Sequence, residues 1–175
     1  NIQVGVAPYW GRPTVIDLAP AAGVSEDQLL VVATALSRAS THPLSQAIVR
    51  AAEERNVEIS PVDNVRNVPG KGVEGLLNGE RVLVGSAKLL ADNGAALGET
   101  ADQGTRLANE GRSLTYVALD GRVLGVIGIM DAVRPSTREA IQQLKDAGVE
   151  PVLMSGDVKP TAERVAREVG IDRVF

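Results

Sequence analysis

The sequence predicts an α+β fold, an antiparallel β-sheet flanked by helices, followed by a partial α/β segment. Two hairpins carry the first part of that expectation. Val73 to Leu77 and Glu80 to Val84 meet at Asn78-Gly79, a type I′ turn signal, and Ser113 to Leu119 and Arg122 to Ile129 meet at Asp120-Gly121. The helical patterns are grouped between these strands rather than alternating with them, which favours an antiparallel sheet covered by helices. After residue 130 the rhythm becomes helix, strand, helix, which is a parallel α/β pattern.

In chain order, residues 1 to 10 do not continue the later patterns and are read as unplaced, or as a segment foreign to the natural chain. Thr14 to Leu18 reads as a strand. Ser25-Glu26-Asp27-Gln28 has the form of a capping box and opens a helix through about Arg38, with Leu29, Leu30, Val32, Ala33 and Leu36 as its buried stripe. A short turn leads to Pro43, which suits the first helical position because its missing N–H costs nothing there. Leu44, Ala47, Ile48 and Ala51 then line one face, and Asn56 stops the helix. Val62 to Val68 forms a strand edge. Ser86 to Ala96 and Thr100 to Glu110 read as short helices, the second stopped by Gly111. In the tail, Ser136-Thr137-Arg138-Glu139 reads as a capping box, Pro151 to Met154 as a short apolar strand, and Thr161 to Val169 as a helix closed by Gly170.

Composition excludes several classes of function. The 44% hydrophobic content is enough for a core built of Val, Leu, Ile and Ala, since the aromatics are only Tyr9, Trp10, Tyr116 and Phe175. A formal charge of −4 and the lack of an aromatic platform speak against nucleic acid as a partner. With no cysteine and one histidine, disulfides, thiolate sites and multi-histidine zinc sites are ruled out, and a cytosolic setting fits. No apolar run reaches the roughly 18 residues of a membrane span, so the chain itself is not expected to insert.

Three stretches carry candidate chemistry. Ser40-Thr41-His42-Pro43-Leu44 places the single histidine at a helix start, where an imidazole can stack on a flat ring or meet a phosphate; the alternative is a capping or surface histidine. Gly70-Lys71-Gly72 puts two glycines before the Val73 strand, where the backbone can approach a ligand, although a plain hairpin turn selects glycine for the same reason. Arg81-Val82-Leu83-Val84-Gly85-Ser86 ends its strand on a glycine, which the hairpin aligns with Gly72.

Taken in this order, the three stretches resemble the nucleotide-binding domain of heavy-metal-transporting P-type ATPases, over about residues 11 to 129. The resemblance implies ATP held by Ser37, His42, Gly70, Lys71, Gly72, Val73, Gly85 and Ser86. Ser37 stands where the family has an acidic residue that helps hold the adenine amino group, and a hydroxyl is the weaker acceptor. Ser86 stands where the family often has asparagine. The Thr-His-Pro form leans towards the zinc, cadmium and cobalt branches rather than copper. The tail, residues 130 to 175, resembles the start of the phosphorylation domain of the same pumps, a haloacid-dehalogenase-like fold. That implies phosphate or interdomain roles for Asp131, Arg134, Ser155, Gly156 and Asp157. The family's Asp-Lys-Thr-Gly-Thr and its later magnesium motif do not occur in the sequence, so the chain is expected to bind ATP without forming an aspartyl-phosphate.

The resemblance thus implies a cytoplasmic domain of a membrane pump, with ATP or ADP and the pump's other domains as partners and Mg²⁺ as a cofactor of the parent protein. A side chain at Gly72, as in Gly72→Val, would block the approach of a ligand to the backbone and is expected to cost binding more than stability. Alternatives are a free-standing haloacid-dehalogenase-type phosphatase and a non-enzymatic adenine-nucleotide module; the first requires an Asp-x-Asp nucleophile motif that the sequence lacks.

Overall fold

The computed structural model describes residues 12–131, 135–154 and 159–175, without the side chains of residues 131, 135, 136 and 161. The order of elements is β1 (Pro13–Pro20), α1 (Glu26–Ser37), α2 (Pro43–Glu54), β2 (Asp63–Val68), β3 (Gly72–Leu77), β4 (Glu80–Gly85), α3 (Ala87–Asp92), α4 (Thr100–Asn109), β5 (Ser113–Leu119), β6 (Arg122–Asp131), α5 (Pro135–Asp146), β7 (Val152–Leu153), α6 (Lys159–Val169) and β8 (Arg173–Val174). Strands β1 to β6 form one six-stranded antiparallel sheet in the order β1-β6-β5-β4-β3-β2. The N-terminal strand therefore closes against the last strand of the sheet. Sequence neighbours pair elsewhere, through short turns except between β4 and β5, which α3 and α4 separate.

Alternation along the strands sorts side chains into two cores. Val82, Val84, Val117, Ile127 and Ile129 join Leu29, Leu30, Leu36, Ala47 and Ile48 under α1 and α2. Leu83, Tyr116, Ala118 and Val126 join Leu89, Leu90 and Leu107 under α3 and α4. In β6 one step breaks the alternation: Val123 and Val126 lie in the same core. A bulge at Gly125, with φ +151°, shifts the β5–β6 register there and turns the strand by one residue. Each fully buried leucine contributes about 1.5–3 kcal/mol relative to exposure, so the helices are held by packing more than by helix propensity.

Local signals hold closely. Ser25 and Gln28 exchange both bonds of the capping box, at 3.1 and 3.0 Å. Asn78 and Gly79 both take positive φ, as do Asp120 and Gly121, which matches the twist that a two-residue hairpin needs. Asn56 has φ 53°, and the Val57 amide donates back to Ala52 across it, which ends α2 in the left-handed manner.

Some boundaries differ. Helix α3 ends at Asp92 rather than Ala96, because Gly94 takes φ 77° and the Ala95 amide closes back on Leu90. Helix α5 starts at Pro135, which places Ser136 inside the first turn instead of at the cap. The tail strand is only two residues long and pairs in parallel, as the α/β rhythm implied, with β8, a strand that the sequence pattern did not reveal. Its helices pack through Ile141, Ala162, Val165, Ala166 and Val169.

Candidate nucleotide cleft

The reversal between α1 and α2 builds one wall of a cleft. After α1, the Ala39 and Ser40 amides donate to Leu36 and Ser37 carbonyls in a tight final turn, and the chain leaves extended through His42, φ −62° and ψ 137°. His42 is the N-cap of α2. Its Nδ1 accepts from the Leu44 amide at 3.2 Å, satisfying a donor that the helix cannot pair internally. The capping alternative is thus realised, and the ring still lines the cleft.

The opposite wall is the β2–β3 turn and the end of β4. Pro69 and Gly70 occupy the middle of a turn in which the Lys71 amide donates to Val68 at 3.0 Å, and φ +69° at Gly70 gives it type II form. Lys71 carbonyl then accepts from the Ser86 amide at 2.7 Å, tying this turn to the start of α3. Ser86 caps α3 by accepting from the Leu89 amide at 3.2 Å. Between the two ties, Gly72 and Gly85 sit opposite each other in the β3–β4 register. A Cβ on Gly72 would stand 2.3 Å from the Val84 carbonyl oxygen, and one on Gly85 would stand 2.2 Å from that of Lys71. The expectation that a side chain at Gly72 costs binding more than stability is therefore corrected: backbone contacts alone demand glycine at both positions.

The cleft encloses about 650 Å³. His42, Gly70, Lys71, Gly72, Val73, Gly85 and Ser86 all line it. Ser37 does not. It is buried, and its hydroxyl donates to the Ala33 carbonyl at 2.8 Å within α1. Asp131 belongs to β6, but its side chain, together with Arg134, Ser155, Gly156 and Asp157, lies outside the described residues. Sequence reasoning missed Ser45, Asn67 and Thr115, polar residues that also line the cleft. Thr115 arrives through the pairing of β5 with β4, a long-range register with no local signal. Asn67 was within reach, being two residues before the Pro69-Gly70 turn.

Electrostatics around the cleft are sparse. Among the described residues Lys71 is the one lysine or arginine in the lining, and its Nζ is paired with Asp92 at 2.6 Å, a carboxylate shared with Lys88 at 3.3 Å. The Lys71 bond, and then that of Lys88, holds the Asp92 carboxyl below its ordinary range. Among the described residues no carboxylate lines the cleft. Glu74 lies on the other face of β3 from Val73, nearly buried, between Arg66 and Arg81; Arg81 donates at 2.7 Å. Arg81 first and Arg66 second hold the Glu74 carboxyl below the usual carboxylate range. Glu74 is thus committed to a cross-strand ion pair and unavailable to a ligand. Among the described residues no group of three or more His, Cys, Asp or Glu side chains converges. Among the described residues the lining thus offers Mg²⁺ no carboxylate ligand, and a metal there would rest on phosphate oxygens and water.

The family model for haloacid dehalogenase-like hydrolases matches residues 9–175. A copper-transporting P-type ATPase of Rhizobium leguminosarum bv. viciae is 38% identical over 164 residues, which is 94% of this chain and 20% of that protein. A zinc-transporting PIB-type ATPase in the E2.Pi state superposes with a TM-score of 0.82 at 34% identity, over 94% of this chain and 26% of the other. The N-domain of a copper-transporting P-type ATPase superposes with a TM-score of 0.58 at 26% identity, over 67% of this chain and 99% of that domain. The chain spans about a fifth of the length of the curated relatives it matches.

Proposed function

The chain belongs to the haloacid dehalogenase-like hydrolases and, among them, to the heavy-metal P-type ATPases, and from that membership we propose that its cleft binds ATP for the pump. In this reading residues 11–129 are the nucleotide-binding domain and residues 130–175 begin the phosphorylation domain. The nucleotide is positioned in the cytoplasm for transfer of its γ-phosphate to an aspartate of the neighbouring domain. The observation that carries the reading is the convergence of His42 with the Gly70-Lys71-Gly72 turn and Gly85 on one cleft, from three separate parts of the chain.

The chemistry suits a nucleoside. One wall offers a flat imidazole, the other two glycine backbones without Cβ atoms, and Leu44, Ile48, Val73 and Val84 supply an apolar floor. The phosphatase alternative fits the family model equally, but a pump relative 38% identical covers 94% of this chain, which favours the pump. The cargo is a heavy-metal cation. Thr41-His42-Pro43 leans to the zinc, cadmium and cobalt branch, while the Rhizobium relative is named for copper. The chain has no cysteine and one histidine, so the ligands that choose the metal lie on other parts of the pump.

Titrating ATP into the ¹⁵N-labelled chain tests the site. Amide shifts are expected at residues 41, 42, 44, 45, 68, 70–73, 85 and 86, with Arg66 and Glu74 unmoved. Shifts confined to residues outside these segments would overturn the assignment.

A further inference from the structure

Ser40 is held from both sides of the histidine loop. Its hydroxyl accepts from the His42 amide at 3.2 Å, and its carbonyl accepts from Gln46 Nε2 at 2.7 Å. Gln46 lies one turn into α2, where its own amide donates to the His42 carbonyl at 3.1 Å, and it does not line the cleft. Residues 40 to 42 are thereby stapled to the first turn of the helix, with the imidazole turned so that Nδ1 faces the Leu44 amide. A ring nitrogen that accepts from an N–H carries no proton, which puts the proton of the neutral ring on Nε2.

We infer that Gln46 is a positioning residue that fixes His42 as the Nε2–H tautomer, making His42 a hydrogen-bond donor, not an acceptor, towards the nucleotide. This rests on the nucleotide reading above. Its chemical consequence is specific: His42 meets a lone pair, such as a purine ring nitrogen or a phosphate oxygen, and an exocyclic amino group must find its acceptor elsewhere in the cleft. Without the Gln46 bond the loop can swing, Nδ1 loses its fixed donor, and both tautomers become populated. Rigidity is gained before the ligand arrives, so the contact costs less ordering on binding.

The chain holds a single histidine, so the ring nitrogens of His42 can be read without ambiguity by long-range ¹H–¹⁵N correlation in mildly alkaline solution. The variant is Gln46→Met, close in length and lacking the donor, at an exposed helical position that tolerates exchange. Expected for the natural chain is one protonated nitrogen, Nε2, and one unprotonated, Nδ1. The variant is expected to show averaged shifts and an ATP affinity lower by roughly three- to tenfold, as for one hydrogen bond, with unchanged melting. Unchanged ring shifts in the variant overturn the inference, and so does an altered tautomer with unaltered ATP affinity. If His42→Gln binds ATP as well as the natural chain, it is the nucleotide reading itself that has failed.

Discussion

Gly72 and Gly85 are register partners across β3 and β4, and a Cβ on either would stand 2.7 Å from the Cα of the other. The two strands come together there with no room for side chains, and the same bareness opens the cleft floor to a ligand. Fold and site share one requirement.

The glycines of the Gly70-Lys71-Gly72 turn thus have separable roles. At Gly70 nothing lies within 4 Å of an added Cβ, and only φ +69° opposes it. Gly70→Ala is expected to cost about 1–2 kcal/mol, the strain of a left-handed alanine. Gly72→Ala adds a collision with the Val84 carbonyl and is expected to cost about 3 kcal/mol or more. Urea unfolding of both variants measures the difference, and equal losses would contradict it.

His42 both caps α2 and lines the cleft, so His42→Gln is expected to lose on two counts. Removing a cap costs about 1 kcal/mol of stability, and removing a stacked or hydrogen-bonded partner costs about 1–2 kcal/mol of ATP binding. His42→Asn separates the two, because asparagine caps well and has no ring. It should melt like the natural chain while binding ATP as poorly as His42→Gln. Calorimetric titration beside thermal melting makes the comparison, and full ATP affinity in the Asn variant would remove the ring from the site.

Glu74 supplies a pH signature. Its carboxyl is held low in the folded chain by Arg81 and Arg66, so the unfolded chain binds the proton more readily. The contribution is complete above the ordinary carboxylate range, about pH 4.3, and fades as pH falls through the lower folded value. Glu74→Gln is expected to cost about 1 kcal/mol near neutral pH, with Arg66 and Arg81 both partly exposed, and to show a shallower loss of stability on acidification than the natural chain. Parallel acid profiles for the two proteins would count against the ion pair.

How much of this could be read without coordinates depends on the range of the interaction. The capping box at Ser25, the stop at Asn56 and the turns at Asn78-Gly79 and Asp120-Gly121 are set by neighbouring residues, and all were legible. So was the gathering of His42, Gly72 and Gly85, through the resemblance to a known family. The closure of β1 on β6, the entry of Thr115 to the cleft and the withdrawal of Ser37 into α1 were not, because each depends on long-range register or on which face of a helix turns inward. The pairing of Glu74 with two arginines was hidden likewise, since Arg66 and Glu74 meet only across strands.

The last prediction concerns phosphate and Mg²⁺. Among the described residues Lys71 is the single cation lining the cleft that could count phosphates, and Asp92 holds it at 2.6 Å. Engaging a β- or γ-phosphate would mean exchanging one exposed ion pair for another, which gains little. Among the described residues the lining has no carboxylate to seat a metal beside the phosphates. ATP and ADP are therefore expected to bind with similar affinity, on the order of 0.1–1 mM, and Mg²⁺ to change it little. Asp92→Asn frees Lys71 while leaving the floor of the cleft intact, so ATP should gain over ADP by roughly two- to fivefold, an advantage that fades with added salt. Calorimetry at two salt concentrations, with and without Mg²⁺, reads all of these. A tenfold, Mg²⁺-dependent preference for ATP in the natural chain would show that a carboxylate reaches the phosphates after all, with Asp131 and Asp157 the first to exchange for asparagine.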